Sequence, residues 1–198
     1  MELYRYNSKK EYVNHQLRAT HKKRDLVFVR EETMVIITQF LQTVFGSRRL
    51  SGLCHGVRKG WEVERFSKLL GADIIGTELA PELAKPPHVI CWDFHKAKPE
   101  WLEAFDFIYC NSLDHSYKPE ACVKTWLSCL KPEGFCFVEW TKNHTKLHKC
   151  GPRDCFRASF EECRDLLMRC GTLKATLSVP IREDSVLFPI YIYVLQKK

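Results

Sequence analysis

A chain of 198 residues can bury one sizeable core and is too short for a second domain of ordinary size beside it. Its 45% hydrophobic and 28% charged residues are those of an ordinary globular protein, which argues against intrinsic disorder. No stretch approaches the roughly 20 apolar residues of a membrane helix, and the opening residues lack the apolar core of a secretory signal, so the expected location is cytoplasmic. The net charge of +7 is concentrated partly in His21 to Arg24, at Arg48 and Arg49, and from Lys142 to Arg157. Such patches attract phosphate-bearing or acidic partners, or serve only as a solvated basic face. Most of the ten cysteines fall inside expected strands and helices, where a thiol acts as a small hydrophobe, so reduced thiols are expected.

In chain order, residues 1–47 read as an N-terminal helical segment, polar at first, with helical apolar spacing at Met34, Ile37, Leu41 and Val44. A short strand is expected from Arg49 to Cys54, then a helix from Trp61 to Leu70 stopped by Gly71. Strands follow at Asp73 to Glu78, Val89 to Trp92 and Phe105 to Cys110, and a helix at Pro119 to Leu130. The turn Lys131 to Gly134 leads into a near-continuous apolar run, Phe135 to Trp140, suited to a strand buried on both faces. Ser159 and Glu162 form a capping-box pattern at the start of the last helix, which Gly171 closes. Lys174 to Pro180 and Leu187 to Leu195 are placed to pair as an antiparallel hairpin. This alternation predicts a single α/β domain of residues 1–198, Rossmann-like and doubly wound. The sheet is expected to have about seven mostly parallel strands, an antiparallel C-terminal strand and helices on both faces.

The turn Gly56-Val-Arg-Lys-Gly60 stands between a strand and a helix, where backbone N–H groups can approach a ligand. Glu78 lies 22 positions beyond Gly56 at the end of the next strand, near the roughly 20-residue spacing at which an acidic side chain meets ribose hydroxyls. A third glycine, as in G-x-G-x-x-G, is missing, which disfavours a dinucleotide dehydrogenase.

From about Leu50 to Lys197 the chain resembles the class I S-adenosylmethionine-dependent methyltransferases. Leu53-Cys-His-Gly-Val-Arg-Lys-Gly60 is similar to that family's glycine-rich first motif, and Ile75-Gly-Thr-Glu78 to its acidic end of the second strand. Trp92-Asp-Phe94 resembles the segment after the third strand, Phe105 to Ser112 the fourth-strand motif, and Leu130-Lys-Pro-Glu-Gly134 the turn before the fifth. The resemblance implies S-adenosyl-L-methionine as cofactor, held by His55, Gly56, Arg58, Gly60, Glu78, Asp93, Phe94, Asn111 and Ser112. Two positions depart from the pattern: Arg58 replaces the middle glycine, and Cys54 falls where an acidic residue is usual.

Methyl transfer needs a nucleophile held at near-attack distance, with a base where the nucleophile carries a proton. His115, Asp114 and Glu139, at expected strand ends, are the candidates, while His95 reads as structural. His144, His148, Cys150 and Cys155 offer zinc-type ligands without a common zinc spacing, so no metal is expected. The acceptor would be an oxygen or nitrogen nucleophile on a nucleic acid or a small molecule. The competing reading is a methyltransferase-fold binding or regulatory protein without catalysis, motivated by Arg58 and Cys54.

Overall fold

A computed structural model describes residues 1–142, 150–179 and 189–198. The N-terminal segment forms a two-residue strand β1 (Glu2–Leu3) and helices α1 (Lys9–Lys22) and α2 (Glu31–Phe45). Strand β2 (Ser51–His55), helix α3 (Trp61–Leu70), and strands β3 (Asp73–Glu78), β4 (Val89–Cys91) and β5 (Phe105–Cys110) follow. Helix α4 (Pro119–Cys129) runs into strand β6 (Leu130–Thr141). The chain continues through β7 (Phe156–Arg157), α5 (Phe160–Cys170), β8 (Thr172–Val179) and β9 (Ile190–Gln196). The strands and helices expected from residue 49 onward are present with boundaries shifted by a few residues, but β1 and β7 were not expected, and the expected turn Lys131 to Gly134 falls inside β6. Residues 187 and 188 of the last expected strand, and His144 and His148, lie outside the described residues.

Seven strands form one sheet in the order β4-β3-β2-β5-β6-β9-β8. The neighbours from β4 to β6 are parallel, and β9 runs antiparallel to both β6 and β8. The expected hairpin is therefore present, but it is β9 that enters the sheet beside β6, leaving β8 at the edge. The turn Lys131 to Gly134 bows out of the sheet: Leu130 pairs with Phe105 and Phe135 with Phe107. Alternation along β5 splits the core, with Ile108 and Cys110 packing towards α4 and α5, and Phe107 and Tyr109 towards α2 and α3.

The polar N-terminal stretch is more ordered than its composition implies. Ser8 caps α1 by accepting from the Glu11 N–H, and the buried stripe Tyr12, Gln16, Ala19 follows helical spacing. Strand β1 pairs antiparallel with β7, tying this segment to the chain ahead of α5. The capping box at Ser159 and Glu162 is formed as expected. The ten cysteines are free thiols, most of them buried. Among the described residues no helix is long and apolar enough to cross a membrane.

Candidate active site

The parallel strands end together, and the loops leaving β2, β3 and β5, with the carboxyl end of β6, border a crevice of the kind where open α/β sheets place ligands. The first loop is shaped by left-handed residues. Gly56 has φ +72° and lies so close to β5 that a Cβ would fall 2.8 Å from Ser112 Oγ, which leaves glycine as the residue that fits. Gly60 (φ +79°) begins α3. Arg58 takes φ +47°, the left-handed conformation that glycine adopts most readily. The turn is pinned by Gly56 and Val57 N–H groups, both donating to Thr77 O.

Glu78 closes this loop against β3. Its carboxylate accepts from the Arg58 N–H at 2.8 Å and the Ala80 N–H at 2.9 Å. Burial nonetheless raises its pKa above the ordinary carboxylate range, the backbone bonds only partly offsetting it. Asp93 accepts from both the backbone N–H and Nδ1 of His95 and faces Lys9 of α1 at 2.8 Å. Burial opposes ionisation here as well, but the His95 and Lys9 bonds prevail and hold Asp93 well below its usual pKa. His95 is bonded at both ring nitrogens, Nδ1 to Asp93 Oδ1 at 2.8 Å and Nε2 to Ser116 Oγ at 2.9 Å.

Three cavities meet in the crevice. The first is lined by Tyr12, Gln16 and Thr20 of α1 together with Gly56, Arg58, Glu78, Asp93, Phe94, Ser112 and His115. A second, of about 110 Å³, lies between residues 24–28 and the start of α3, and includes Glu62 and Asn111. The third, of about 390 Å³, is bounded by Phe28, Arg30, Ser112, Asp114, His115, Glu139 and Arg157. Arg58 lines all three, its guanidinium bonded to Leu26 O and set 4.6 Å from the Phe28 ring centroid.

His115 and Asp114 occupy a short 3-10 turn after β5. His115 Nδ1 lies 2.8 Å from Arg153 O, and a carbonyl can only accept, so Nδ1–H is the donor and the neutral ring of this tautomer has its lone pair on Nε2. Asp114 stands 3.9 Å from that Nε2. Glu139, near the end of β6, is buried and accepts from Tyr109 Oη at 2.8 Å; burial pushes its pKa up to about 7.

Two expected cofactor residues sit elsewhere. The His55 side chain is turned into the core, stacked on Trp126 with Nδ1 2.8 Å from Thr77 Oγ1, and lines none of the three cavities. Burial holds it neutral, with a pKa lowered to about 3. Gly60 likewise lines none of them; a Cβ there would meet Val89 Cγ2 at 2.6 Å, so close packing is its use. Sequence reasoning missed the α1 wall of Tyr12, Gln16 and Thr20, and also Glu62 and Tyr109. It also missed that Asp154 joins Asp114 and His115 in a cluster whose ligand atoms lie within 4.8 Å of one another. The spacing of Tyr12, Gln16 and Ala19 was the available signal for α1; no local signal ties Asp154 to His115.

No protein-family model and no curated protein matches the sequence. Solved structures do match in shape. The 1,6-didemethyltoxoflavin-N1-methyltransferase of Burkholderia thailandensis was crystallised with 1,6-didemethyltoxoflavin and S-adenosylhomocysteine. It superposes with a TM-score of 0.71 at 17% identity over 98% of this chain and 93% of that one. A plantazolicin methyltransferase, in complex with a pentazolic desmethyl analogue and S-adenosylhomocysteine, gives 0.67 at 15% identity over 96% and 98%. The (4+2)-cyclase SpnF gives 0.63 at 15% identity over 82% and 80%. The strand order, the reversed β9 and these superpositions agree: the chain has the fold of the class I S-adenosylmethionine-dependent methyltransferases.

Proposed function

We propose that this protein binds S-adenosylmethionine across the carboxyl ends of β2, β3 and β5 and transfers its methyl group to an oxygen or nitrogen of a small-molecule acceptor. The same fold includes a cyclase, so the fold does not fix the reaction. The observation that carries the reading is the junction of three cavities at Arg58, with Glu78 on one side and His115 on the other. A ligand with an adenosine body, a sulfur branch point and an amino-acid arm has this three-way form.

When bound, S-adenosylmethionine would supply a sulfonium methyl group open to in-line displacement. Glu78 would accept from the ribose hydroxyls while keeping its two backbone bonds, since a carboxylate has lone pairs for both. Phe94 and Asp93 would line the adenine side, and Gly56, where a Cβ would strike Ser112, lines the same cavity. The third cavity is of small-molecule size and would hold the acceptor. His115 Nε2 would take the acceptor's proton, Nδ1–H staying on Arg153 O and Asp114 stabilising the imidazolium. Asn111 and Ser112 bound the passage between cavities, and Glu139 gives the acceptor cavity a second proton-accepting group. Neighbours crystallised with 1,6-didemethyltoxoflavin and with a pentazolic desmethyl plantazolicin analogue favour an organic acceptor of this kind over a nucleic acid.

Calorimetry with S-adenosylhomocysteine tests the core of this reading. Wild-type protein should bind it, and Glu78→Ala should lose about 1.5–3 kcal/mol of binding through a missing charge-assisted bond. Absence of wild-type binding, or an unchanged affinity in the variant, overturns the assignment.

A further inference from the structure

Glu62 is a buried carboxyl in the first turn of α3. It is the second residue of α3, 6% exposed, and hydrogen-bonds its own backbone N–H. Among the described residues it makes no ion pair within 4 Å. It lines the second cavity with Arg58 and Asn111. The groups facing it are Arg58 from the turn, Glu78 of β3, Glu139 of β6, Cys54 of β2, and Tyr109 and Cys110 of β5. Burial pushes its pKa to about 8, its own N–H and Arg58 pulling down and the two other carboxyls adding to the rise. Asp25, the other acid of this cavity, is exposed and already paired with Lys59 and Arg24.

Arg24 and Lys59, which also line the second cavity, are paired with Asp25, so the Arg58 guanidinium and the Glu62 carboxyl are the charged groups left on its walls, the complement of an α-amino-acid zwitterion. Resting on the cofactor reading above, we infer that Glu62 is the counter-ion for the ammonium of the cofactor's methionine arm, with Arg58 taking the carboxylate, and that binding this arm expels the Glu62 proton to solvent. The balance is simple: a protonated Glu62 and an ammonium become a carboxylate–ammonium pair and one free proton. The charge absent at Cys54 is thereby supplied from the helix that follows.

The test compares S-adenosylhomocysteine with 5′-methylthioadenosine, which has the same adenosine and sulfur but no amino-acid arm. Calorimetry near pH 7 in two buffers of different ionisation enthalpy counts protons. S-adenosylhomocysteine should release nearly one proton and bind more tightly as pH rises from about 6 to 8, while methylthioadenosine should release none. Glu62→Gln keeps the shape and the uncharged form that burial favours; it should abolish most of the release and weaken S-adenosylhomocysteine roughly 10- to 100-fold, with methylthioadenosine held within about twofold. Arg58→Met should show the same selectivity between the two ligands without changing the proton count. Undiminished release in Glu62→Gln would move the titration to Glu139 or Glu78 and overturn the assignment, as would equal losses for both ligands or none for either. A wild-type protein that binds neither ligand removes the cofactor reading itself, which is a different result.

Discussion

Asp106 and Glu139 are buried carboxyls at opposite ends of the same sheet, and their surroundings differ. Asp106, at the amino end of β5, accepts from the Ser51 N–H and hydroxyl and faces Lys131 at 3.0 Å and Arg48 at 2.9 Å. Burial opposes its ionisation, but these partners outweigh burial and hold it below the ordinary range. At the carboxyl end Glu139 has the Tyr109 hydroxyl, Glu78 has backbone N–H groups, and Glu62 has its own N–H; in all three burial wins and the pKa rises. A saturated carboxylate braces the fold, whereas an undersupplied one is kept ready for a visiting group. An open hollow of about 600 Å³ lies beside Asp106, larger than the cavities at the carboxyl end, and the charged groups Asp106, Arg48 and Lys131 on its wall are paired with one another.

The comparison can be broken by experiment. The largest effect expected is on turnover: His115→Ala should lower methyl transfer by roughly 10²- to 10⁴-fold if Nε2 takes the acceptor's proton, with S-adenosylhomocysteine affinity nearly unchanged. Full turnover in that variant would shift the role to Asp114 or Glu139. Next, Asp106→Asn should cost about 2–3 kcal/mol of stability in urea unfolding while leaving cofactor affinity alone. A loss of binding instead would contradict the division between the two ends.

The smallest effect expected concerns pH. Glu139 has a folded pKa near 7, above the ordinary carboxylate value, so its contribution to stability is full in acid and is lost as pH rises towards about 7. Asp106, shifted the other way, loses its contribution only as pH falls below the carboxylate range. Glu139→Gln should therefore flatten the fall in stability between about pH 5 and 7.5 by about 1–3 kcal/mol. An unaltered slope would show that Glu139 is not destabilised by burial.

The sheet was legible because β2, β3, β5 and β6 are apolar runs bounded by glycine, proline or charge, a pattern local enough to read one element at a time. Gly56 and Glu78 were legible for the same reason, since the spacing across one strand-helix-strand unit fixes their separation. The wall that α1 gives the crevice was not, because its buried stripe holds Gln16 between Tyr12 and Ala19, and Gln16 donates to Arg153 O, a partner 137 positions away. Asp154 beside His115 and Tyr109 beneath Glu139 are likewise long-range pairings that no window contains. His55 shows the opposite failure: a polar residue beside the glycine turn reads as a ligand contact, but strand alternation sends its ring into the core, where Thr77 and Trp126 receive it.

Arg58 stands in the wall of all three cavities. A side chain shared in this way has one rotamer to give at a time, so the occupant of any cavity sets the shape offered to the other two. The thermodynamic consequence is reciprocal: whatever factor a bound acceptor applies to the affinity for the cofactor, the cofactor applies to the affinity for the acceptor. On the proposed function, Arg58 would thus make the occupants of neighbouring cavities answerable to one another.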